Sequence, residues 1–302
     1  AFNAEATLAQ TIQSVFAQTR GDWELIVVDD GSSDATTSIV ARYAHLNRRV
    51  RLISQSNEGP SAARNNGVMR ARGDIVAFLD ADDTWQPEHL EKAVDLLEAD
   101  DQLGVAFAPC TIVDDNGRDT GQRTRPFTNN VAITDVLAGN PTATCSSLVV
   151  RRSVFFDAGF MREDMVHAED QEWLFRVVLS GWKIRSHAVH LVNYRCNPRG
   201  LSSDVARMFA GWKMFVELAK RNAPQITRTH LPSATASMHF YYVRRLLRDG
   251  NLSAETLQHF YRAWRACPLT ATKLTARLLA TVAIKAPSVV FGGNATSQMA
   301  RT

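Results

Sequence analysis

Ile75-Val76-Ala77-Phe78-Leu79-Asp80-Ala81-Asp82-Asp83 is an unbroken apolar run that ends abruptly in three carboxylates. Apolar throughout and opened by Gly73-Asp74, it predicts a strand over 74–79 buried on both faces. The acids then fall in the loop just past the strand. Two carboxylates at i and i+2 in a loop can turn toward one divalent ion. Mg²⁺ and Mn²⁺ take oxygen ligands and keep positions open for substrate phosphates. A plainer reading of the same residues is that Asp82 or Asp83 caps a helix beginning after Pro87.

Working outward, the pattern repeats. Trp23-Glu24-Leu25-Ile26-Val27-Val28 is a second strand-length run, and it ends in Asp29-Asp30-Gly31-Ser32-Ser33-Asp34. Val50 to Ile53 reads as another strand. Helices are predicted over 5–18, from Asp34 to about His45, and from Ser61 to Arg70. This alternation predicts an α/β fold with a mostly parallel sheet flanked by helices. Ligands in such sheets bind outside the carboxyl ends of the strands. Asp29, Asp30, Asp80 and Asp82 all fall there.

Farther along, a helix is expected over 88–100, a strand over 104–108, a polar loop over 114–125, a strand over 147–150 and a helix over 169–180. Asp114, Asp115 and Gly117 read as a turn. Trp85, Trp173 and Trp182 could stack on a sugar or simply fill the core. His167 is a candidate ligand or proton shuttle, and Arg176 an ion partner on the helix. Beyond Asp204 strand signals vanish, and helices are expected over 205–221, 233–248, 254–265 and 269–285. The expected division is therefore 1–204, an α/β domain, and 205–302, a basic helical region.

Hydrophobic content of 45% and charged content of 22% fit a globular chain rather than a disordered one. The net charge of +3 conceals a split. Residues 205–302 hold 14 Lys+Arg against 3 Asp+Glu, whereas 1–204 hold 20 against 28. An acidic half suits a metal, and a basic half suits phosphates or an anionic membrane. Leu269 to Phe291 spaces Leu274, Leu278, Leu279, Val282 and Ile284 at helical intervals between Lys273, Arg277 and Lys285. That segment is either an interfacial helix or an ordinary packed one. Four scattered cysteines without a CxxC pair fit reduced thiols better than zinc or a disulfide framework. With no secretory leader pattern and no apolar run of about 18 residues, a cytoplasmic location is expected, peripheral at the inner membrane face if the basic helices bind lipid.

Several stretches, in order, carry a resemblance. Phe2-Asn3-Ala4-Glu5, Leu25-Ile26-Val27-Val28-Asp29-Asp30-Gly31-Ser32-Ser33-Asp34, Gly59-Pro60-Ser61-Ala62-Ala63-Arg64-Asn65-Asn66-Gly67, Phe78 to Asp83, and Ala168-Glu169-Asp170-Gln171-Glu172-Trp173 are similar to the motifs of family 2 inverting glycosyltransferases of GT-A fold, the type that builds bacterial polysaccharides and surface glycans. The likeness covers 1–202. It implies Mn²⁺ or Mg²⁺ as cofactor, a nucleotide-sugar donor with UDP-sugars favoured, a saccharide or lipid-linked acceptor, and no nucleic-acid partner. It further implies that Phe2 and Asn3 sit against the base, Glu5 near the ribose, and Asp30 on the pyrimidine with Arg64 reaching the same nucleotide. Asp80 would contact ribose or ion, Asp82 would ligate the metal, and Asp170 would be the general base with Glu169 beside it.

Two departures from that family stand out. Tyr194-Arg195-Cys196-Asn197-Pro198-Arg199 carries Asn197 where a His often stands, so Arg195 or Arg199 becomes the candidate for the diphosphate. The family's first apolar strand precedes Phe2-Asn3, so an open central sheet position is expected, with weak stability or weak nucleotide binding.

Physical reasoning reaches Asp170 separately. An inverting displacement needs one base opposite the leaving diphosphate and no protein nucleophile. An acid in a helix's first turn is held ionised by the dipole, although such acids also serve simply to complement it. Two alternatives remain open. Ile75 to Thr84 also fits an apolar strand followed by the Asp-x-Asp-x-Thr of a haloacid-dehalogenase-type phosphatase, with Asp80 as nucleophile. A non-catalytic sugar-nucleotide-binding protein would share the fold without turnover. A dinucleotide-binding dehydrogenase is excluded by the lack of Gly-x-Gly-x-x-Gly after any strand.

Overall fold

The computed structural model describes residues 1–127, 129–197, 200, 204–248 and 253–285. Two compact units divide between Ala234 and Thr235.

In the first unit α1 (Leu8–Phe16) leads into β1 (Leu25–Asp29), α2 (Thr36–Leu46), β2 (Val50–Ser54), α3 (Pro60–Arg70) and β3 (Ile75–Ala77). β1 and β2 pair in parallel, Leu25 opposite Val50 through Asp29 opposite Ser54. The helical crossover between them is what a parallel pair requires. Ala1 lies alongside this pair: its nitrogen donates to the Val28 carbonyl oxygen at 2.7 Å, and the Asp30 N–H donates to Ala1 O at 2.8 Å. Leu8 and Ile12 of α1 pack with Val27, Val40 and Val50 into one apolar cluster, against which Ala1, Ala4 and Ala81 also rest. The start of the chain and the acidic loop after β3 are thus laid against the same core.

After β4 (Thr84–Trp85) and α4 (His89–Glu98) come β5 (Leu103–Phe107), β6 (Cys110–Val113), β7 (Asp119–Arg123), α5 (Ile133–Ala138), β8 (Leu148–Arg151) and α6 (Ser153–Asp157). The unit is completed by α7 (Glu169–Leu179), β9 (Lys183–Ser186), β10 (Val192–Arg195), α8 (Val205–Asn222) and the first turns of α9 (Pro224–Arg248). Two four-stranded sheets result, in the orders β3-β8-β5-β9 and β4-β10-β6-β7. The α/β architecture is the expected one, but the sheets are mixed rather than mostly parallel. β8 lies antiparallel to both β3 and β5, because the chain reaches it through the β6–β7 hairpin and α5 instead of a helical crossover. β9 and β10 restore parallel pairing with β5 and β6.

The hairpin itself was expected as a loop. Every residue of β7 is exposed, so the strand carries no apolar alternation. An ion pair from Arg123 to Asp119 across Gly121 holds it. Neither Asp82 nor Asp83 caps α4, whose N-cap is Glu88. Trp85 and Trp173 are buried and fill the core, and the Trp182 indole donates to Asp157.

In the second unit the remainder of α9 meets α10 (Ala254–Ala266) and α11 (Pro268–Lys285). The expected helix start at Ser233 is overturned, since α9 runs straight through Pro232. Ala236, Phe240, Ala263 and Ala271 form the unit's small core, and Leu274 and Leu278 pack onto it. Those two leucines therefore face protein. Val282 and Ile284, expected on the same stripe, fall among side chains outside the description. Among the described residues of this unit, the large apolar side chains that stay exposed are Leu247 on α9, Leu257, Tyr261 and Trp264 on α10, and Leu269 on α11. Among the described residues no helix is long and apolar enough to cross a membrane.

Candidate active site

Arg64 ties the site together. It lies in the first half of α3 (Pro60–Arg70). Nη2 donates to Asp80 Oδ1 at 2.8 Å, and Nη1 donates to Glu169 Oε1 at 3.2 Å. One guanidinium therefore bridges the loop after β3 and the first turn of α7, which lie 105 positions from Arg64 at the far end. Asn65 secures the approach to α7. It exchanges bonds with the Met161 backbone, N–H to Oδ1 at 3.0 Å and Nδ2 to C=O at 2.8 Å, and donates to Glu163 at 2.9 Å. Asn66 donates to Gln55 Oε1 at 2.7 Å, which extends the clamp toward β1.

Of the four acids facing this region, two are claimed by Arg64 and two are not. Among the described residues, neither Asp82 nor Asp170 forms an ion pair. The Arg64 guanidinium holds Asp80 below the ordinary carboxylate range in spite of burial, which pushes the other way. Burial, then the neighbouring Asp80, raises Asp82 to about 6. Burial, then Asp170, raises Glu169 to about 7, and burial likewise raises Asp170. Such crowding of carboxylates around one cation makes this cleft a candidate functional site. The fit to a hard divalent ion is direct. Asp80 and Asp82 offer oxygen donors, and the Asp82 carboxylate has no cationic side chain to displace. No group of three or more His, Cys, Asp or Glu among the described residues is arranged as a closed cage, so a two-carboxylate set would leave the remaining positions to other oxygens.

Residues 140–147 form a wall that sequence reading missed. Thr144 Oγ1 donates to Asp80 Oδ2 at 3.4 Å, and the Asp80 N–H donates to Ser146 Oγ at 3.0 Å. Ser146 O in turn receives the Trp85 indole N–H at 2.7 Å. At the other end of the wall Asn140 Nδ2 donates to Asp170 Oδ2 at 2.5 Å. The stretch is polar and aperiodic, and nothing in its composition singles it out.

Backbone strain clusters here. Asn3, Ala143 and Ala168 hold φ of +46°, +67° and +61° and are, among the described residues, the non-glycine residues in the left-handed region. Each costs about 1–2 kcal/mol that the surrounding structure must supply. Asn3 sits against the loop after β1, Ala143 lies between Thr142 and Thr144, and Ala168 immediately precedes Glu169. Behind Ala168, Gly211 of α8 lies so close that a Cβ there would stand 2.4 Å from His167 O. Arg176 braces the same region by pairing with Glu172 and donating to the carbonyls of Ala158 and Phe160. Both α8 and Arg176 thus support the Glu169-Asp170 turn from outside the site.

The loop after β1 is organised by the acids placed there. Asp30 is buried and accepts from Gln55 Nε2 at 2.8 Å, Glu58 N–H at 3.0 Å and Gly59 N–H at 2.9 Å. Asn3 Oδ1 accepts from the Ser33 N–H, and Glu5 Oε2 from the Ala35 N–H, each at 2.9 Å. Gly31, at φ +79°, admits the Asn57 backbone, whose nitrogen would lie 2.9 Å from any Cβ. Phe2 remains half-exposed at 51%. Asn3, Glu5 and Asp30 thus meet at the loop after β1, whereas Arg64, Asp80, Glu169 and Asp170 lie at the acidic centre. Thr7 and Thr11 link the two by donating to Ala81 O at 2.8 and 3.0 Å.

Of the two arginines expected near a diphosphate, Arg195 is used otherwise. Arg195 is buried, and its side chain is consumed by Asp82 O at 2.8 Å, Asp115 O at 2.7 Å and Gln10 Oε1 at 2.9 Å. Its own N–H donates to Asp83 Oδ1 at 2.8 Å. It is the internal strut of the acidic loop and not a diphosphate ligand. Arg199 lies outside the described residues.

The sequence model of glycosyl transferase family 2 matches residues 1–159. Succinoglycan biosynthesis protein ExoO of Rhizobium meliloti is 43% identical over 100 residues, 33% of this chain and 28% of its own. Among solved structures, S. aureus TarS 1–349 in complex with UDP-GlcNAc superposes with a TM-score of 0.61 at 18% identity, covering 91% of this chain and 81% of that one. The mannosyltransferase PcManGT from Pyrobaculum calidifontis, in complex with GDP-Man and Mn²⁺, gives 0.61 at 20% identity over 94% and 79%. These structural matches establish the shared fold. The chain spans 38%, 61% and 38% of the length of the first three curated relatives it matches.

Proposed function

The chain belongs to glycosyl transferase family 2, and from that premise we propose that it moves a sugar from a nucleoside diphosphate donor to an acceptor hydroxyl with inversion, in polysaccharide or glycolipid synthesis. The observation that carries the proposal is the division of labour around Arg64, which pairs with Asp80 and Glu169 and leaves Asp82 and Asp170 outside any ion pair among the described residues.

In this reading Asp170 accepts the proton of the acceptor hydroxyl as the oxygen attacks the anomeric carbon, and the bond to the diphosphate breaks on the opposite face. Glu169 braces Arg64 and does not transfer the proton. Mn²⁺ or Mg²⁺, held by Asp82 with Asp80 shared between ion and ribose, would take up charge on the departing diphosphate. Phe2, Asn3, Glu5 and Asp30, with the Gln55–Gly59 segment that Asp30 gathers, form the seat of the base and ribose. A UDP-sugar is the favoured donor, a choice supported by the UDP-GlcNAc complex of TarS. The acceptor is a saccharide or a lipid-linked glycan, and the setting is cytoplasmic at the membrane face.

The test is release of nucleoside diphosphate from UDP-sugars with Mn²⁺ against EDTA. Turnover is expected to need the metal, and Asp82→Ala is expected to lose at least about a hundredfold, the scale of one preorganised electrostatic contact. Metal-independent release that persists in Asp82→Ala would overturn the assignment. Hydrolysis of simple phosphate esters without nucleotide turnover would favour a phosphatase, and tight donor binding without turnover a binding protein.

Membrane contact has its own support. Leu257, Tyr261 and Trp264 recur at i, i+4 and i+7 on the exposed face of α10, beside Arg265 and with Leu269 and Lys273 on α11. Aromatic and basic side chains on one face suit the interface of an anionic bilayer. Sedimentation with phosphatidylglycerol vesicles is expected at low salt, weakened at high salt, and reduced about tenfold or more in Tyr261→Ser/Trp264→Ser. Absence of binding at low salt would rule the contact out.

A further inference from the structure

Asn140 stands where the wall over residues 140–147 meets α7. Its carbonyl oxygen is fixed twice, by the Thr142 N–H at 2.9 Å and the Thr142 hydroxyl at 2.8 Å. The amide orientation is therefore settled by the network, and Nδ2 must face Asp170 as a donor. It does so at 2.5 Å, onto Oδ2. The other oxygen, Oδ1, accepts the N–H of Gln171 at 2.7 Å. The carboxylate is thus gripped at both oxygens by donors that are themselves immobile. Thr142 is almost wholly buried, and Gln171 is anchored through Nε2 to Val136 O at 2.6 Å, which docks α5 on α7.

A donor that cannot turn round imposes a requirement on its partner. The amide N–H of Asn140 is satisfied by an oxygen lone pair, which the ionised carboxylate offers and a hydroxyl directed at the amide does not. Each oxygen of a carboxylate has two lone pairs, so one bond to each leaves a further acceptor position on both. Glu169, one residue earlier, meets Arg64 instead. The two neighbouring acids therefore differ in what holds them: a charged guanidinium for Glu169 and a neutral, rigid amide for Asp170.

We propose that Asn140 is a positioning residue that locks the Asp170 carboxylate in one rotamer, with its free lone pairs presented to the acceptor hydroxyl. A neutral donor suits that task. Arginine at this place would hold the carboxylate just as firmly but would quench its basicity, whereas an amide orients it at a smaller cost in proton affinity. Thr142 acts through Asn140, and Thr144, two positions on, reaches Asp80 from the same wall. Residues 140–144 consequently set the spacing between base and metal loop.

This inference rests on Asp170 being the base, and the experiment separates the two. Transfer to acceptor is measured against pH for wild type, Asp170→Asn, Asn140→Ala and Asn140→Asp, with donor KM and melting temperature recorded for each. Asn140→Ala is expected to lower kcat about ten- to a hundredfold, the loss of one charge-assisted bond, with donor KM unchanged. Its acid limb should move to higher pH, because the ionised base has lost a donor, and Asn140→Asp should move it further by adding a like charge. A merely structural Asn140 would lower the melting temperature and leave the acid limb where it is in both variants, which overturns the inference. Full transfer in Asp170→Asn would instead remove the base assignment on which it stands.

Discussion

Asp170→Asn is expected to lose transfer activity by about 10²- to 10⁴-fold while remaining folded. The magnitude is that of removing a positioned general base. Folding survives because two effects oppose each other. The amide satisfies only one of the two donors that now grip the carboxylate, at a cost of about 1 kcal/mol. Against this, it removes a buried negative charge from beside Glu169, whose pKa burial and the Asp170 charge raise together. The sign of the pH effect follows from the direction of those shifts. An acid whose folded pKa lies above its unfolded value contributes stability that is complete below the unfolded pKa and is lost as pH rises through the folded one. For Glu169 that window runs from its ordinary value of 4.5 to about 7. Wild-type melting temperature should therefore decline across that interval, and the decline should be shallower in Asp170→Asn, where the Asp170 contribution to Glu169 is gone. Activity runs the other way and rises with pH as the base ionises. A folded variant with wild-type turnover would refute the assignment.

The legible part of this molecule is the part written locally. The apolar runs ending in Asp29-Asp30 and Asp80-Ala81-Asp82 marked two strands and the acidic loops that follow them, since a strand covered by packed elements leaves a continuous hydrophobic signature. Illegible parts fall into two kinds. β7 is an exposed edge strand stabilised by Arg123 and Asp119, so it bears no alternation to read. Asn140, Thr144 and Ser146 act through contacts that span 30 to 66 positions, and a polar loop carries no periodic trace of its partners. The strained residues Ala143 and Ala168 are equally silent, because alanine does not announce a positive φ as glycine does. Arg195 shows the converse error. Its motif context suggested a ligand for phosphate, yet the backbone oxygens of Asp82 and Asp115 and the Gln10 amide oxygen claim it first. A cation near a site is free to bind substrate only when the fold has not already used its donors.

That argument applies with most force to Arg64, whose replacement is expected to have the largest effect on stability of any change in the site. Arg64→Ala leaves Asp80 and Glu169 with no counter-charge beside Asp82 and Asp170. Removing one partner of a buried pair costs about 3–5 kcal/mol when both ends are enclosed. Here the Asp80 side chain is 34% exposed and the Glu169 side chain 12%, so solvent screening of the first contact reduces the expectation to about 2–3 kcal/mol. For a domain of this size that is a fall in melting temperature of about 4–12 °C. Arg64→Lys should recover only part of it, since a single ammonium cannot span two acids as the guanidinium fork does. The deficit should also depend on pH in a defined direction. Asp80 is held below its ordinary pKa by Arg64, so its contribution is present above the unfolded value and lost as pH falls through the folded one. The gap between wild type and Arg64→Ala should accordingly narrow below about pH 4, where the unfolded carboxylate takes up its proton. Added Mn²⁺ offers an independent check. A divalent ion binding the uncompensated carboxylates should raise the melting temperature of Arg64→Ala by more than it raises that of wild type. An unchanged melting temperature in Arg64→Ala at neutral pH would mean that the bridge between α3, the acidic loop and α7 does not hold the site together.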